Sequence, residues 1–119
     1  MEDANRPIFL QLGERLENEI ISGQLAEDSA IPSINELAAF YRINPATALK
    51  AVNLLVENGT LYKKRGIGMF VSSGARKQLI ELHQKTFPSE FIDPLLVEAK
   101  KIGLSMVEVI QMIETRSNK

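Results

Sequence analysis

The sequence has no cysteine among its 119 residues, and it contains a single histidine. The absence of cysteine excludes disulfide bonds, thiolate catalysis and zinc sites built on cysteine. The sequence also lacks H-E-x-x-H and any other spaced set of metal ligands, so we expect no metal and no other cofactor. His83 lies in a helical apolar context, which is more typical of a partly buried or surface residue than of a catalytic base. The sequence therefore predicts a protein that is not an enzyme.

Long hydrophobic runs are also missing. The longest apolar stretch is far shorter than the roughly 20 residues that span a bilayer. The first residues, MEDANRP, are too polar for the start of a signal peptide. We therefore expect a soluble, cytoplasmic protein without a membrane partner. Hydrophobic residues make up 45% and charged residues 24% of the chain, which is typical of a globular protein with a core of its own.

The net charge is −1, and this value alone would argue against a nucleic-acid partner. The charges are, however, unevenly distributed along the chain. Residues 1–41 include two basic and eight acidic residues, whereas residues 42–65 include five basic residues and one acidic residue. Residues 66–119 include seven basic and six acidic residues. Residues 42–65, called the basic segment below, therefore carry a local excess of positive charge, which is the electrostatic footprint of a DNA-binding surface.

Hydrophobic periodicity and capping signals predict three helices in the first half of the chain. The first covers Ile8 to Ser22, where apolar residues recur every four positions. Residues 25–31 form a short connection. The second helix starts after Ser33, because a glutamate three residues later completes the spacing of a capping box. The third helix starts after Asn44, a favourable N-cap followed by Pro45 in the first turn.

A β-hairpin and further helices follow. Two short strand patterns, Leu61 to Lys64 and Met69 to Val71, are joined by a glycine-containing loop, and this arrangement predicts a hairpin. A Ser-Ser-Gly linker at 72–74 precedes helical patterns that break at Pro88 and near Gly103. The fold class is therefore mainly α with a small β-hairpin. Three helices and a hairpin have the element order of a winged helix-turn-helix, in which the third helix enters the major groove of DNA.

The run IPSINELAAFYRINPATALKAVNLLVENGTLYKKRGIGMFV, from Ile31 to Val71, resembles the DNA-binding domain of GntR-type transcriptional regulators. The resemblance covers about residues 7–72 and depends on the motifs P-S-x-x-E-L-A, E-x-G-x-L and R-G-x-G-x-F-V. It implies a DNA-binding domain over residues 1–73. The remaining residues, 74–119, are similar to the short C-terminal module of the YtrA-type branch. In that branch the module dimerises, and members often control operons for ATP-binding-cassette transporters.

The resemblance also implies which residues meet double-stranded DNA. Family members commonly have a DNA-contacting arginine where this sequence has Asn35, so that contact is altered here. Many members also have arginine at the position of Pro45 or Leu49, which leaves Lys50 as the main cation on the third helix. The start of this helix is at the same time a candidate phosphate site, because free N–H groups there bind anions. The expected DNA-contacting residues are Ser33, Asn35, Asn44, Pro45, Thr47, Lys50, Lys64, Arg65, Gly66 and Gly68.

Two features of this prediction have simpler explanations. The cations Lys63, Lys64 and Arg65 are also typical of a solvated sheet edge that discourages pairing with another strand. Asn44 with Pro45 is also an ordinary helix cap. The cap is compatible with DNA binding, whereas for the three cations taken alone the sheet-edge explanation stays open as the alternative.

The C-terminal residues supply more large apolar side chains than two short helices can bury. We therefore expect a homodimer, with packing onto the monomer's own first helix as the alternative. The expected dimerisation residues are Phe87, Phe91, Ile92, Leu95, Leu96, Val109, Ile110 and Ile113.

The sequence thus predicts a homodimeric regulator, with repression as the expected mode, that places residues 44–50 of each protomer in a major groove of a palindromic operator. A winged-helix protein-interaction module without DNA binding is the alternative, and the basic segment argues against it. The cleft of the dimer has room for a small-molecule effector of unknown identity, for which the sequence predicts no residues.

Overall fold

The computed structural model describes residue 1 and residues 3–118. The chain forms two compact units, Met1–Glu81 and Leu82–Lys119. Their elements confirm the predicted fold class, mainly α with a small β-hairpin. In chain order they are α1 (Ile8–Ser22), α2 (Ile34–Tyr41), α3 (Pro45–Glu57), β1 (Leu61–Lys64), β2 (Gly68–Val71), α4 (Ala75–Phe87), a π-helical turn (Pro88–Ile92), α5 (Asp93–Lys101) and α6 (Met106–Ser117).

Helix α2 begins where its capping signal predicts, and α6 begins at a second S-x-x-E spacing, Ser105 to Glu108. The side-chain oxygen of Ser33 accepts a hydrogen bond from the backbone N–H of Glu36 at 3.1 Å, and the Glu36 carboxylate accepts one from the backbone N–H of Ser33 at 3.0 Å. Ser105 and Glu108 repeat this reciprocal arrangement at the start of α6. Each box satisfies two amides that a helix start otherwise leaves without an acceptor.

The core of the first unit lies mainly between α1 and α3. Leu12, Leu16 and Ile20 recur on one face of α1, and all three are buried. Burial of each such side chain contributes about 1.5–3 kcal/mol to folding. The other buried members of this cluster are Ile31, Leu37, Ala38, Ala48, Ala51, Val52, Leu55, Leu61, Val71, Ala75 and Leu79.

A third extended segment, residues 29–31, pairs with the hairpin, although the sequence predicts only a short connection there. Strands β1 and β2 pair antiparallel, with Tyr62 opposite Phe70. On the other side of β2, the backbone N–H of Ile31 donates to the carbonyl of Met69, and the N–H of Val71 donates to the carbonyl of Ser29, both at 3.0 Å. The segment that leads into α2 therefore anchors the hairpin. Its pairing is too short to leave a strand-like period in the sequence.

The boundary between the compact units falls within α4 and not at the predicted linker, 72–74. Ala75 and Leu79 are buried in the core of the first unit. The side-chain Nε of Arg76 also donates a hydrogen bond of 2.8 Å to the carbonyl of Ile21, close to the end of α1. The first turns of α4 therefore belong to the first unit because they complete its core. The division into functional domains at residues 73 and 74 stays a prediction.

In the second unit, the buried residues among those described are Ala99 and Val109. Val109 is one of the expected dimerisation residues, and its burial within the protomer removes it from any surface that a partner could contact. Leu96 is half-buried. The other six expected dimerisation residues are exposed, namely Phe87, Phe91, Ile92, Leu95, Ile110 and Ile113. Within the part of the chain that the structure describes, no helix combines the length and the apolarity needed to cross a lipid bilayer.

Candidate nucleic-acid interface

The connection between α2 and α3 is the tight turn that a helix-turn-helix requires. Arg42 adopts a left-handed backbone conformation with φ of 56°, which is uncommon outside glycine. The backbone N–H groups of Arg42 and Ile43 both donate to the carbonyl of Ala38 near the end of α2. These bonds end α2 within three residues of the first residue of α3, so α2 and α3 meet at a fixed turn.

In the first turn of α3, residues 45–48, no backbone N–H is left free for a phosphate, which argues against the amide-based anion site expected there. Pro45 has no backbone N–H. The side-chain oxygen of Asn44 accepts the N–H of Ala46 at 2.8 Å. The carbonyl of Asn44 accepts the N–H groups of Thr47 at 2.9 Å and Ala48 at 3.1 Å. The Asn-Pro cap therefore satisfies the first turn internally, and phosphate contacts at α3 have to come from side chains.

The solvent-facing side of α3 consists mostly of uncharged residues. Ala46, Lys50 and Asn53 are exposed and project opposite the buried stripe of the helix, with Leu49 exposed at the edge. Thr47, expected to contact DNA, is half-buried on the flank of the helix. In a major groove, small apolar side chains suit the thymine methyl group, and asparagine suits adenine. Asn53 is absent from the expected set, although its position opposite the buried stripe could have identified it.

At the start of α2, the structure gives the expected residues unequal roles. The hydroxyl of Ser33 is engaged in the capping box, so its role is to begin the helix. The backbone hydrogen bond from Ser33 lowers the pKa of Glu36, which keeps this carboxylate ionised. Asn35 lies next to this negative charge, is exposed, and has no cation of its own to offer a phosphate.

The tip of the hairpin, called the wing below, is a glycine turn with an exposed apolar side chain. Gly66 and Gly68 have φ values of +77° and +148°, a region that side chains disfavour, which explains both glycines. Between them Ile67 is 74% exposed, and its N–H donates to the carbonyl of Lys64. Apolar side chains such as isoleucine can contact sugars or base steps in a minor groove. The position of Ile67 between two turn glycines could have identified it from the sequence as a candidate DNA contact.

Two lysines of the basic segment lie over aromatic rings. The ammonium nitrogen of Lys50 is 4.1 Å from the centroid of the Phe9 ring, which belongs to α1. The ammonium nitrogen of Lys64 is 4.4 Å from the ring centroid of Phe70 and 6.0 Å from that of Tyr62. All three distances fall within the range of a cation–π attraction. Phe9 lies on α1 and Phe70 on β2, so local sequence patterns do not show that these two rings meet Lys50 and Lys64.

The rings of the wing are themselves held in place. Tyr62 and Phe70 stack across the two strands with centroids 5.7 Å apart. The hydroxyl of Tyr62 lies 3.4 Å from a carboxylate oxygen of Asp28. Desolvation, and then the nearby negative charge, raise the pKa of Tyr62, so the hydroxyl keeps its proton and can donate it to Asp28. Lys63, Lys64 and Arg65 remain exposed beside this stack.

All ten expected DNA-contacting residues lie in the first unit, on the start of α2, on α3 with its cap, and on the wing. Both α2 and β1 contact α3. The segments that carry the prediction are therefore assembled around one helix. Among the described residues, no group of histidine, aspartate and glutamate side chains is arranged to hold a metal ion.

Comparison with known sequences identifies related regulators. The family described as "Bacterial regulatory proteins, gntR family" matches residues 9–71. An arabinose metabolism transcriptional repressor from Geobacillus stearothermophilus is 33% identical over 101 residues, which cover 82% of this chain and 28% of the repressor. The HTH-type transcriptional repressor YtrA from Bacillus subtilis (strain 168) is 26% identical over 111 residues, which cover 93% of this chain and 85% of YtrA. The chain thus spans less than a third of the first relative and most of the second, and the second match supports the predicted YtrA-type branch.

Solved structures share the fold. A GntR family transcriptional regulator from Listeria monocytogenes superposes with a TM-score of 0.75 and 25% identity, covering 95% of this chain and 97% of that chain. The DNA-binding domain of AraR in complex with operator ORX1 superposes with a TM-score of 0.56 and 32% identity, covering 60% of this chain and 87% of that chain. These relatives are transcription regulators and not enzymes.

Proposed function

Because the chain belongs to the GntR family of bacterial regulatory proteins, we propose that it is a transcriptional repressor that binds a palindromic operator in double-stranded DNA as a homodimer. The observation that carries the proposal is the placement of the basic segment. Its lysines and arginines lie on α3, on the turn before it and on the wing, and these are the elements with which a winged helix meets DNA.

In this proposal the exposed face of α3 enters a major groove, with residues 44–50 nearest the bases. Lys50 supplies the cation on α3, and Asn53 adds an amide to the same face. The wing contacts the flanking phosphates or the minor groove through Lys64 and Arg65, and Ile67 lies at its tip. Because the first-turn amides of α3 are already bonded, these cations would bind the phosphates. Affinity should therefore depend strongly on salt concentration.

The exposed apolar side chains of the second unit support the homodimer. Many exposed large apolar side chains on a small helical module are typical of a protein–protein interface. Two copies that pair through a two-fold axis would place two α3 helices on related half-sites, so the operator should be a palindrome.

Repression and the regulated genes are proposed by analogy. YtrA and the arabinose regulator are both named repressors. The resemblance to the YtrA-type branch implies an operon for an ATP-binding-cassette transporter as the target. A small-molecule effector of this repressor would bind in the cleft of the dimer.

Selection of bound duplexes from a random pool tests the proposal. We expect enrichment of an inverted repeat with half-sites about 10 base pairs apart centre to centre, or a multiple of that distance. A single enriched half-site would contradict the dimeric arrangement. A folded dimer that enriches no sequence, and that gives no specific mobility shift with the DNA upstream of its own gene, would support the protein-interaction module instead.

A further inference from the structure

Among the described residues, the ammonium groups of Lys50 and Lys64 have aromatic partners and no acidic ones. Each lies within 4.5 Å of the centroid of a phenylalanine ring, Phe9 or Phe70. Neither lysine forms a salt bridge with any carboxylate that the structure describes. Both side chains are exposed. The rings therefore hold the two ammonium groups without neutralising their charge.

The placement of a lysine ammonium group over an aromatic ring has a physical consequence for binding to a polyanion. A free lysine side chain loses rotamer freedom when it is fixed against a phosphate, and this loss weakens association. A lysine that already lies over a ring has lost part of that freedom before DNA arrives. An ammonium group has three N–H donors, so contact with a ring face on one side leaves donors for a phosphate on the other.

We propose that Phe9 and Phe70 are positioning residues for DNA binding, which hold Lys50 and Lys64 in the orientation that meets phosphate. This inference rests on the proposed function. Phe9 is half-buried against the core of the first unit, so its ring is itself fixed. Through it, α1 sets the position of a charge on α3. Phe70 is fixed in the same way by its stack with Tyr62.

A further cation–ring contact in the same unit, made by an arginine, provides a matched control. The guanidinium carbon of Arg15 lies 5.7 Å from the ring centroid of Tyr41. This side chain also forms a salt bridge of 3.6 Å with Glu19, so an acidic group already compensates its charge. Arg15 lies on the acidic side of α1, outside the basic segment. Its replacement removes a cation–π contact without removing a proposed phosphate ligand.

A double-mutant cycle on Phe9 and Lys50 tests the inference. The probe is the duplex enriched from the random pool, and its affinity is measured across a series of salt concentrations. Phe9→Leu should weaken binding about two- to five-fold, the value of an exposed cation–π contact, with the salt dependence unchanged. Lys50→Ala should lower the slope of log K against log salt by about 0.9, as expected for one lost phosphate contact.

The decisive measurement is Phe9→Leu in the Lys50→Ala background, where we expect no further loss of affinity. Phe9→Tyr keeps the ring face and should retain affinity and slope. Arg15→Ala should leave both unchanged. The same cycle with Phe70→Leu and Lys64→Ala should repeat the pattern at the wing. Thermal unfolding of each variant identifies any change in the fold.

Two outcomes would overturn this inference and leave the proposed function standing. An equal loss from Phe9→Leu in both backgrounds would show that Phe9 acts only through packing of the core. A gain in affinity from Phe9→Leu would show that the ring withholds Lys50 from DNA. Failure of the wild-type protein to bind any duplex would instead overturn the proposed function, and the inference with it.

Discussion

The two compact units differ in how many of their large apolar side chains are buried. In the first unit, leucine, isoleucine and valine side chains from four helices and the hairpin are buried in one cluster. In the second unit, the buried residues among those described are one alanine and one valine, Ala99 and Val109. Large side chains such as Phe91, 63% exposed, and Ile110, 46% exposed, remain at the surface. The first unit therefore has a core of its own, whereas the second has only part of one.

This difference indicates what the second unit needs. Exposed large apolar side chains in this number are typical of interfaces and uncommon on monomers. A second copy of the same module would supply the missing apolar contacts by symmetry. The first unit would then fold independently of protein concentration, and the order of the second would depend on it. The following predictions test this contrast, from the largest expected effect to the smallest.

The largest effect is expected from a charge placed in the exposed apolar face of α6. Ile110→Glu would bury two carboxylates in a symmetric dimer, one from each copy, and like charges in an interface cost several kcal/mol. We expect the dissociation constant of the dimer to rise about a thousand-fold or more. Analytical ultracentrifugation over a range of concentrations measures this change.

Val97→Glu is the matched control for that substitution. Val97 is 69% exposed and lies on the side of α5 opposite the buried Ala99, since the two residues are about 200° apart on a helix. Val97 is also about 200° from Leu95, an expected dimerisation residue, and is not itself one of that set, so we expect the Val97→Glu protein to remain dimeric. An Ile110→Glu protein that also remains dimeric would show that the exposed face of α6 is not the interface.

A smaller effect is expected from a cavity in the first unit. Leu16 is fully buried, and Leu16→Ala should lower the free energy of unfolding by about 2–5 kcal/mol. Leu95→Ala in the second unit removes a partly exposed side chain, so its cost should appear mainly as a lower midpoint at low protein concentration. Denaturant titrations at two concentrations distinguish these cases. Equal behaviour of the two variants would remove the proposed difference between the units.

The features that the sequence predicts well are those that depend on neighbouring residues. Ser33, Asn44 and Ser105 begin helices because their side chains accept hydrogen bonds from amides two or three residues later. The internal bonding of the first-turn amides of α3 also depends on neighbouring residues. It could have been predicted from Pro45, which lacks an N–H, together with the capping preference of asparagine.

The features that the sequence does not predict depend on contacts between distant residues. Lys50 meets Phe9 only because α1 and α3 pack together, and no local period records which ring a lysine will reach. The pairing of Ile31 with β2 is likewise non-local. Periodicity placed Val109 among the apolar residues of α6, but it could not tell that this residue faces inward while Ile110 remains exposed.

The smallest effect concerns the capping boxes, which the two units share. In each, backbone hydrogen bonding lowers the carboxyl pKa of the glutamate, Glu36 or Glu108, below its ordinary value of 4.5. A depressed pKa in the folded state contributes stability above about pH 4.5, and this contribution is lost as the pH falls through the folded value. The stability is lost from α2, which is well packed in the first unit, and from α6, which is sparsely packed in the second. We therefore expect α6 to lose order at a higher pH than α2, as measured by amide hydrogen exchange between pH 6 and 3.

Glutamine in place of each glutamate separates the titration from the cap, because its amide oxygen can still accept the hydrogen bond from the serine N–H. Glu108→Gln should reduce the acid sensitivity of α6, and Glu36→Gln should have a weaker effect on α2. If α2 and α6 open together in acid, with both glutamine variants behaving alike, the second unit must be as well supported as the first within its own protomer. The exposed side chains of α5 and α6 would then need an explanation other than a missing half of their core.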